Sequence, residues 1–161
     1  MIAARILGYH SASERKVLLL ALDELHTPYT LPVTDGHHFT CFCAMDATRF
    51  SVEAISEFCS HMLQLGCAYL CTWGPDCERV HDIMDELIVR RKPPESYIGC
   101  VMTTWHAQDS LEEALEFFLF ATEPDETYAP HGCDVGLIIS VGSTQWAEAI
   151  EKHALGRIGT P

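Results

Sequence analysis

The sequence has few positively charged residues. Its 161 residues include 10 lysines and arginines against 23 aspartates and glutamates, which gives a formal net charge of −13. A surface with this charge repels the phosphates of nucleic acids and of anionic membranes. We therefore expect neither a nucleic-acid partner nor a membrane partner. A basic protein is the partner class that the charge favours.

Long hydrophobic runs are also absent. The first apolar patch is interrupted at Arg5, so it is too short for the hydrophobic core of a signal peptide. No run approaches the roughly 18 apolar residues that mark a membrane-spanning helix. These absences predict a cytoplasmic protein.

Several motifs that mark known chemistries are missing. The chain contains no G-x-G-x-x-G dinucleotide fingerprint, no P-loop and no G-x-S-x-G nucleophile motif. It has eight cysteines but no Cys-x-x-Cys pair, and most of the cysteines lie in or beside apolar runs of strand length. A reduced thiol in such a run behaves as a small buried hydrophobic group. We expect reduced cysteines and no cofactor.

The chain does contain a clear strand followed by a helix. The run from Gly66 to Trp73 has the length and composition of a buried strand, and Gly74-Pro75 ends it. Apolar residues then recur at positions i, i+3, i+4, i+7 and i+8 from Val80, which is the pattern of a half-buried helix. This stretch is therefore a βα unit.

The same alternation repeats on both sides of this unit. Further strands are predicted at Phe39–Met45, Ile98–Thr103 and Asp134–Ser140, each followed by a half-buried helix. Gly-Cys pairs at positions 66, 99 and 132 precede three of the strands at a spacing of 33 residues, through chance or an old duplication. The alternation predicts an α/β fold. Its form is three-layered and Rossmann-like, with a mostly parallel sheet of about five strands and helices on both faces.

The length indicates a single α/β domain over residues 1–161. Within it, we expect residues 1–35 to form a strand, a helix and an extended segment, and residues 36–161 to form successive βα units. The first helix is predicted to begin at Ser11, because Ser11 and Glu14 have the spacing of a capping box. It would continue through the apolar run that ends near Leu25.

Polar and aromatic residues gather where the predicted strands end. Ligands of open parallel sheets bind outside the carboxyl ends of the strands, so these residues are candidates for a small-molecule crevice. The two tryptophans would stack on a planar or sugar-like ligand, and the histidine would act as an acid or a base. Alternatively, the tryptophans cover the sheet ends, the histidine is solvated and the last serine only caps a helix. The candidates are Asp46, Thr72, Trp73, Asp76, Thr104, Trp105, His106 and Ser143.

One helix carries a spacing that zinc sites use. Cys77, His81 and Asp85 follow one another at four-residue intervals, so they share one stripe of the helix. A tetrahedral zinc site would need a further ligand from another element, such as His131 or Cys133. The alternative is a half-solvated helix margin, and on this reading we expect no metal.

Two functional hypotheses remain open. The first is a non-catalytic interaction domain, immunity-like or regulatory, that binds a basic protein through the loop residues Glu123, Asp125 and Glu126. The second is a small-molecule enzyme or sensor that uses the crevice at the strand ends. The net charge and the missing catalytic motifs favour the first hypothesis.

Overall fold

The computed structural model describes residues 1–31, 37–90 and 99–159. These residues form eight β-strands and four α-helices, with short 3-10 turns at Ala47–Arg49 and Glu126–His131. In chain order the elements are β1 Ile2–Ala3, β2 Arg5–His10, β3 Arg15–Leu22, β4 Tyr29–Thr30, β5 Phe39–Ala44, α1 Val52–Leu65, β6 Cys67–Trp73, α2 Cys77–Arg90, β7 Met102–Trp105, α3 Leu111–Ala121, β8 Val135–Val141 and α4 Thr144–Leu155.

A six-stranded sheet in the order β2-β3-β8-β5-β6-β7 carries the fold. All neighbouring strands from β3 to β7 are parallel, and only β2 pairs antiparallel, at one edge. The short strands β1 and β4 form a separate parallel pair. The predicted α/β fold with a mostly parallel sheet is confirmed, and the sheet is mixed because of its one antiparallel pair.

The two faces of the sheet bury different side chains. On β8, Leu137 and Ile139 pack with α1 and α2, whereas Ile138 packs with α3 and α4. The side chains of a strand point alternately to opposite faces, so this division places helices on both faces of the sheet. The predicted layering therefore holds for the described residues.

Three of the helices begin at the serines that the sequence indicates. The hydroxyls of Ser51, Ser110 and Ser143 each accept a hydrogen bond from a backbone N–H in the first turn of the following helix. Ser110 and Glu113 form the complete capping box, with both reciprocal bonds present. These local signals fix where the helices start.

The helix predicted from Ser11 through the apolar run to Leu25 is wrong. Residues 15–22 form strand β3, which lies between β2 and β8 and is buried on both faces. A strand in this position needs apolar residues without interruption, so its sequence shows no period that distinguishes it from a buried helix. Residues 1–35 therefore open with a β-hairpin rather than with a strand and a helix.

The proposed capping box is the turn of this hairpin. His10 Nδ1 lies 2.6 Å from the Ser13 hydroxyl oxygen, and the Ser13 backbone N–H also donates to the His10 ring. Glu14 closes the turn in the left-handed region, with a φ of 55°. The Ser11 and Glu14 spacing thus serves a tight reversal of the chain.

The strand predicted at Ile98–Thr103 is displaced towards the carboxyl end. Strand β7 pairs with β6 only through Met102–Trp105, and Ile98 lies outside the described residues. The carbonyl of Gly99 instead accepts a hydrogen bond of 2.9 Å from the Tyr128 hydroxyl. The 3-10 turn before β8, rather than β6, therefore holds this part of the chain.

All eight cysteines are free thiols. The strand cysteines Cys41, Cys43, Cys67 and Cys71 are buried as expected, whereas Cys100 is exposed and Cys133 is half-buried. Burial raises the pKa of the Cys71 thiol to about 12, so this group stays protonated at neutral pH. The buried cysteines thus serve as small core residues.

None of the helices in the described ranges has the length and apolar character needed to cross a bilayer.

Replacing Glu14 by glycine tests the hairpin against the helix. In the hairpin, glycine relieves a left-handed backbone, so we expect the free energy of unfolding to stay within about 0.5 kcal/mol of the parent or to rise. In a helix the same change would cost about 1 kcal/mol. Glu148→Gly, in the exposed middle of α4, is the control, and it should lose the full stability that glycine costs inside a helix. Urea denaturation measures both variants, and an equal loss in the two would contradict the hairpin.

Candidate functional site

The carboxyl ends of the parallel strands meet at one edge of the sheet, here called the carboxyl edge. At its centre, β5 and β8 are neighbours that continue in different directions. The chain continues from β5 into α1, which packs with α2 on one face of the sheet. From β8 it continues into α4, which packs with α3 on the opposite face. A point where neighbouring strands diverge in this way is where open α/β sheets form ligand crevices.

Two of the predicted crevice residues are engaged as caps at this point. Asp46 Oδ1 accepts hydrogen bonds from the backbone N–H and the hydroxyl of Thr48, which fixes the turn after β5. Ser143 caps α4 by accepting from the Trp146 backbone N–H at 3.1 Å. Both side chains therefore hold the backbone at the edge. For Ser143 this is the capping role expected as the alternative.

The turn between β6 and α2 is built by a tight backbone approach. Gly74 has a φ of 114°, and a Cβ on it would collide with the carbonyl oxygen of Met45. Asp76 is left-handed, with a φ of 58°, and its carboxylate lies 2.7 Å from Nε of Arg79. Arg79 also donates to the backbone carbonyl of Phe50, so this turn ties the end of β6 to the segment after β5.

Three of the predicted residues come together on the face that α3 and α4 cover. His106 Nε2 lies 3.1 Å from the Thr104 hydroxyl oxygen, and His106 Nδ1 lies 2.7 Å from Asp109 Oδ2. The indole N–H of Trp73 donates to the Asp109 carbonyl at 3.0 Å, and its ring meets Trp146 edge-on. Trp73, Thr104 and His106 therefore form one cluster with Asp109.

Trp105 lies on the opposite face of the sheet. It is paired in register with Thr72, one residue before Trp73, so the two tryptophans point away from each other. Its ring packs on His81 of α2 at 4.4 Å between centroids and is 46% exposed. The structure therefore does not bring Trp73 and Trp105 into one crevice. Thr72 is buried and donates its hydroxyl to the Cys77 carbonyl at 3.0 Å.

The cluster on the α3 face has the order carboxylate, imidazole, hydroxyl. The Asp109 carboxylate fixes the His106 ring, and the other ring nitrogen faces the Thr104 hydroxyl. This order orients an imidazole to take a proton from a hydroxyl group. Asp109 is not among the residues predicted from the sequence, although an acidic residue three positions after a histidine, next to a helix cap, is a usable signal. His106 is only 7% exposed, so it is not the solvated histidine of the alternative reading.

The stripe proposed for zinc is bonded internally. His81 Nδ1 lies 3.0 Å from Asp82 Oδ1, and His81 Nε2 lies 3.4 Å from Asp85 Oδ2. Cys77 is buried, and burial raises the pKa of its thiol. Within the described ranges, no three His, Cys, Asp or Glu side chains are grouped so that they could hold a metal ion.

A second feature lies at the opposite edge of the sheet, where the parallel strands begin. A cavity of about 360 Å³ is lined there by four carboxylates from three separate segments of the chain. We call it the acidic groove, and its carboxylates are those of Glu14, Asp125, Glu126 and Asp134. Two of the three predicted partner-binding residues, Asp125 and Glu126, line it. Glu123 is exposed and is not among its lining residues.

Arg15 also lines the acidic groove, but its charge is directed into the protein. Its guanidinium donates to the Thr122 carbonyl at 2.8 Å and to the Cys133 carbonyl at 3.4 Å. Burial lowers the pKa of this group from its usual value, although an arginine remains a cation at neutral pH. On the other side of the groove, the Thr127 hydroxyl and backbone N–H lower the pKa of Asp125, which keeps that carboxylate charged.

Gly74→Ala tests the turn that shapes the carboxyl edge. The added Cβ meets the Met45 carbonyl oxygen in a backbone conformation that alanine disfavours, so we expect a loss of roughly 2 kcal/mol or more in the free energy of unfolding. Gly156→Ala is the matched control, because Gly156 has a φ of −77° and a Cβ there makes ordinary contacts. Thermal denaturation compares the two, and equal stabilities would refute the close approach.

Comparisons with known proteins place the chain in a family. A search of curated proteins and a search of solved structures found no match. The model of the family described as "Domain of unknown function (DUF7684)" matches residues 20–156. This match covers well over half of the chain and includes all the carboxyl-edge candidates and three carboxylates of the acidic groove. The chain belongs to the DUF7684 family.

Proposed function

We propose that the protein is a non-catalytic interaction domain, immunity-like or regulatory, that binds a basic protein in the acidic groove. The observation that carries this proposal is the convergence of four carboxylates on one cavity of about 360 Å³. A lysine or arginine side chain of a partner is complementary in charge to these carboxylates.

Internal ion pairs leave the negative charge of the surface unbalanced. Arg5 pairs with Glu151, Arg157 with Glu116 and Arg90 with Glu86. Each pair balances one carboxylate with one cation, so these pairs leave the net charge of −13 unchanged. A field of this sign attracts a basic partner over several ångströms and speeds its encounter with the groove.

The position of the groove also favours a docking role. Arg15 and Asp134 stand at the amino ends of the neighbouring strands β3 and β8, whose pairing fixes their separation. Asp125 caps the 3-10 turn before β8, so its carboxylate is held as well. A charged surface on rigid elements loses little conformational entropy when a partner binds. We further propose that the site acts in the cytoplasm.

An oligolysine peptide with a fluorescent label tests the proposal. Asp125→Asn, Glu126→Gln and Asp134→Asn together remove three groove charges without changing side-chain size. We expect them to weaken peptide binding by about tenfold at low salt, because each exposed charge pair contributes only a small part of the affinity. Binding of the parent protein should weaken steeply as salt screens the charges. Fluorescence anisotropy at several salt concentrations measures both effects.

The control removes the same amount of charge elsewhere. Glu78→Gln, Glu112→Gln and Glu148→Gln neutralise exposed residues of α2, α3 and α4. We expect this variant to lose much less affinity than the groove variant. Equal losses in the two variants would show that only net charge matters and would remove the groove from the proposal.

A second candidate function is a Rossmann-like enzyme or sensor acting on a small molecule at the carboxyl edge. The divergence of β5 and β8 supports the Rossmann-like comparison, because ligands of such folds bind at that point. The Asp109, His106 and Thr104 cluster favours catalysis. In an acyl transfer, Thr104 Oγ would attack an ester carbonyl while His106 Nε2 takes its proton and later returns it to the leaving alcohol. Water would then release the acid.

Hydrolysis of p-nitrophenyl acetate tests this second candidate. Thr104→Val removes the hydroxyl at constant shape, and Thr104→Ser keeps it. If the cluster acts in this way, Thr104→Val loses the protein-dependent rate at least about a hundredfold, whereas Thr104→Ser retains it. Release of p-nitrophenol is followed by absorbance. A rate that is the same in both variants would exclude this hydroxyl as the nucleophile.

A further inference from the structure

A second cavity, of about 370 Å³, lies between α1 and the segment that follows β3. We call it the Tyr29 cavity. It is separate from the acidic groove, because the two share no lining residue. Its volume falls within the range of small-molecule sites. The residues that matter for its chemistry are His26, Tyr29, Phe50, Glu57, Phe58 and His61.

Aromatic side chains form much of the wall of this cavity. Phe58 is buried in the core cluster of the α1 and α2 face, and Phe50 and Tyr29 pack against the same cluster. Tyr29 meets His61 edge-on, with 5.6 Å between ring centroids and an interplanar angle of 64°. These rings are therefore held by the core cluster, and Tyr29 also by its contact with His61.

Tyr29 presents its ring, and not its hydroxyl, to the cavity. The hydroxyl oxygen is buried and has no hydrogen-bond partner among the described residues. Burial also raises the pKa of this phenol far above its usual value, so the group is neutral. A ligand in the cavity therefore contacts the ring of Tyr29 rather than its hydroxyl.

The fixed charge on the cavity wall is negative. Glu57, on α1, is the carboxylate among the lining residues, and it is exposed. The remaining polar groups of the lining are Thr27 and the two histidines. An aromatic wall beside one carboxylate favours a cation, because ring faces and carboxylate both carry negative potential.

Phe50 already contacts a cation within the protein. The Arg49 guanidinium carbon lies 5.9 Å from the centroid of its ring. This distance falls within the range of cation–π contacts.

We infer that the Tyr29 cavity binds a compact organic cation with apolar substituents, of the quaternary ammonium class. Such a cation contacts ring faces through its methyl groups and pairs with Glu57 without needing hydrogen bonds. It therefore fits a wall that combines aromatic rings with one exposed carboxylate. This site goes beyond the proposed docking of a basic protein, since it lies on another part of the surface.

Choline and its neutral analogue 3,3-dimethylbutan-1-ol provide the test. The two molecules have nearly the same shape and differ in charge. We expect choline to bind at least about fivefold more tightly, because a cation–π contact adds about 1 kcal/mol or more. Isothermal titration calorimetry on the full chain measures both. Equal affinities would show a merely hydrophobic cavity, and no heat with either ligand would overturn the proposal.

Three variants locate the site. Glu57→Gln should weaken choline binding about threefold to fivefold, and Phe50→Leu should weaken it about fivefold or more. Glu53→Gln, on the same helix but outside the lining, is the matched control and should bind as the parent does. A loss in Glu53→Gln equal to that in Glu57→Gln would contradict the assignment.

The acidic groove variant separates this site from the proposed docking surface. Removal of the groove charges should leave choline binding unchanged, whereas Glu57→Gln should leave oligolysine binding largely unchanged. Loss of choline binding in the groove variant would place the ligand in the groove and overturn the inference, whatever the fate of the docking proposal.

Discussion

The structure depends on the complete burial of its last strand. Every residue of Val135–Val141 is buried, because β8 inserts between β3 and β5 at the centre of the sheet. A strand in that place buries apolar side chains on both faces and joins two parts of the chain that are far apart in sequence. Its position makes β3 an inner strand. It also carries Asp134 to the acidic groove and Ser143 to the carboxyl edge.

Local signals explain which elements could be predicted. The helices that begin after Ser51, Ser110 and Ser143 carry caps and an apolar stripe in their own sequence, so they need no knowledge of their neighbours. The strands β5, β6 and β8 are short apolar runs, each followed by a helix. β3 is a similar run, but no helix separates it from β2, and only its pairing with β8 decides that it is a strand. That pairing is not visible from residues 15–22 alone.

The candidate sites were less predictable for two reasons. They depend on which face of the sheet each strand residue points to, and they combine residues that are far apart in the sequence. Position at a strand end correctly placed Trp73, Thr104 and His106 at one edge, but a shift of one residue in register decides which face each side chain takes. Trp105 lies on the other face because it directly follows Thr104 in the strand. The acidic groove joins residues 14, 125, 126 and 134, and the Tyr29 cavity joins two loops with α1. Neither set is contiguous, so no motif could reveal it.

The two proposed cation sites would have different roles. The acidic groove would attract cations, and the Tyr29 cavity would select among them. Carboxylates in the acidic groove are largely open to solvent, where an ion pair contributes little affinity but the field still guides encounter. Rings in the Tyr29 cavity act only at contact distance, and their effect grows as the ligand loses water. Salt therefore affects the first site far more than the second. A protein with a charge of −13 attracts every cation in its surroundings, so selectivity has to come from shaped, partly dehydrated walls such as those around Tyr29.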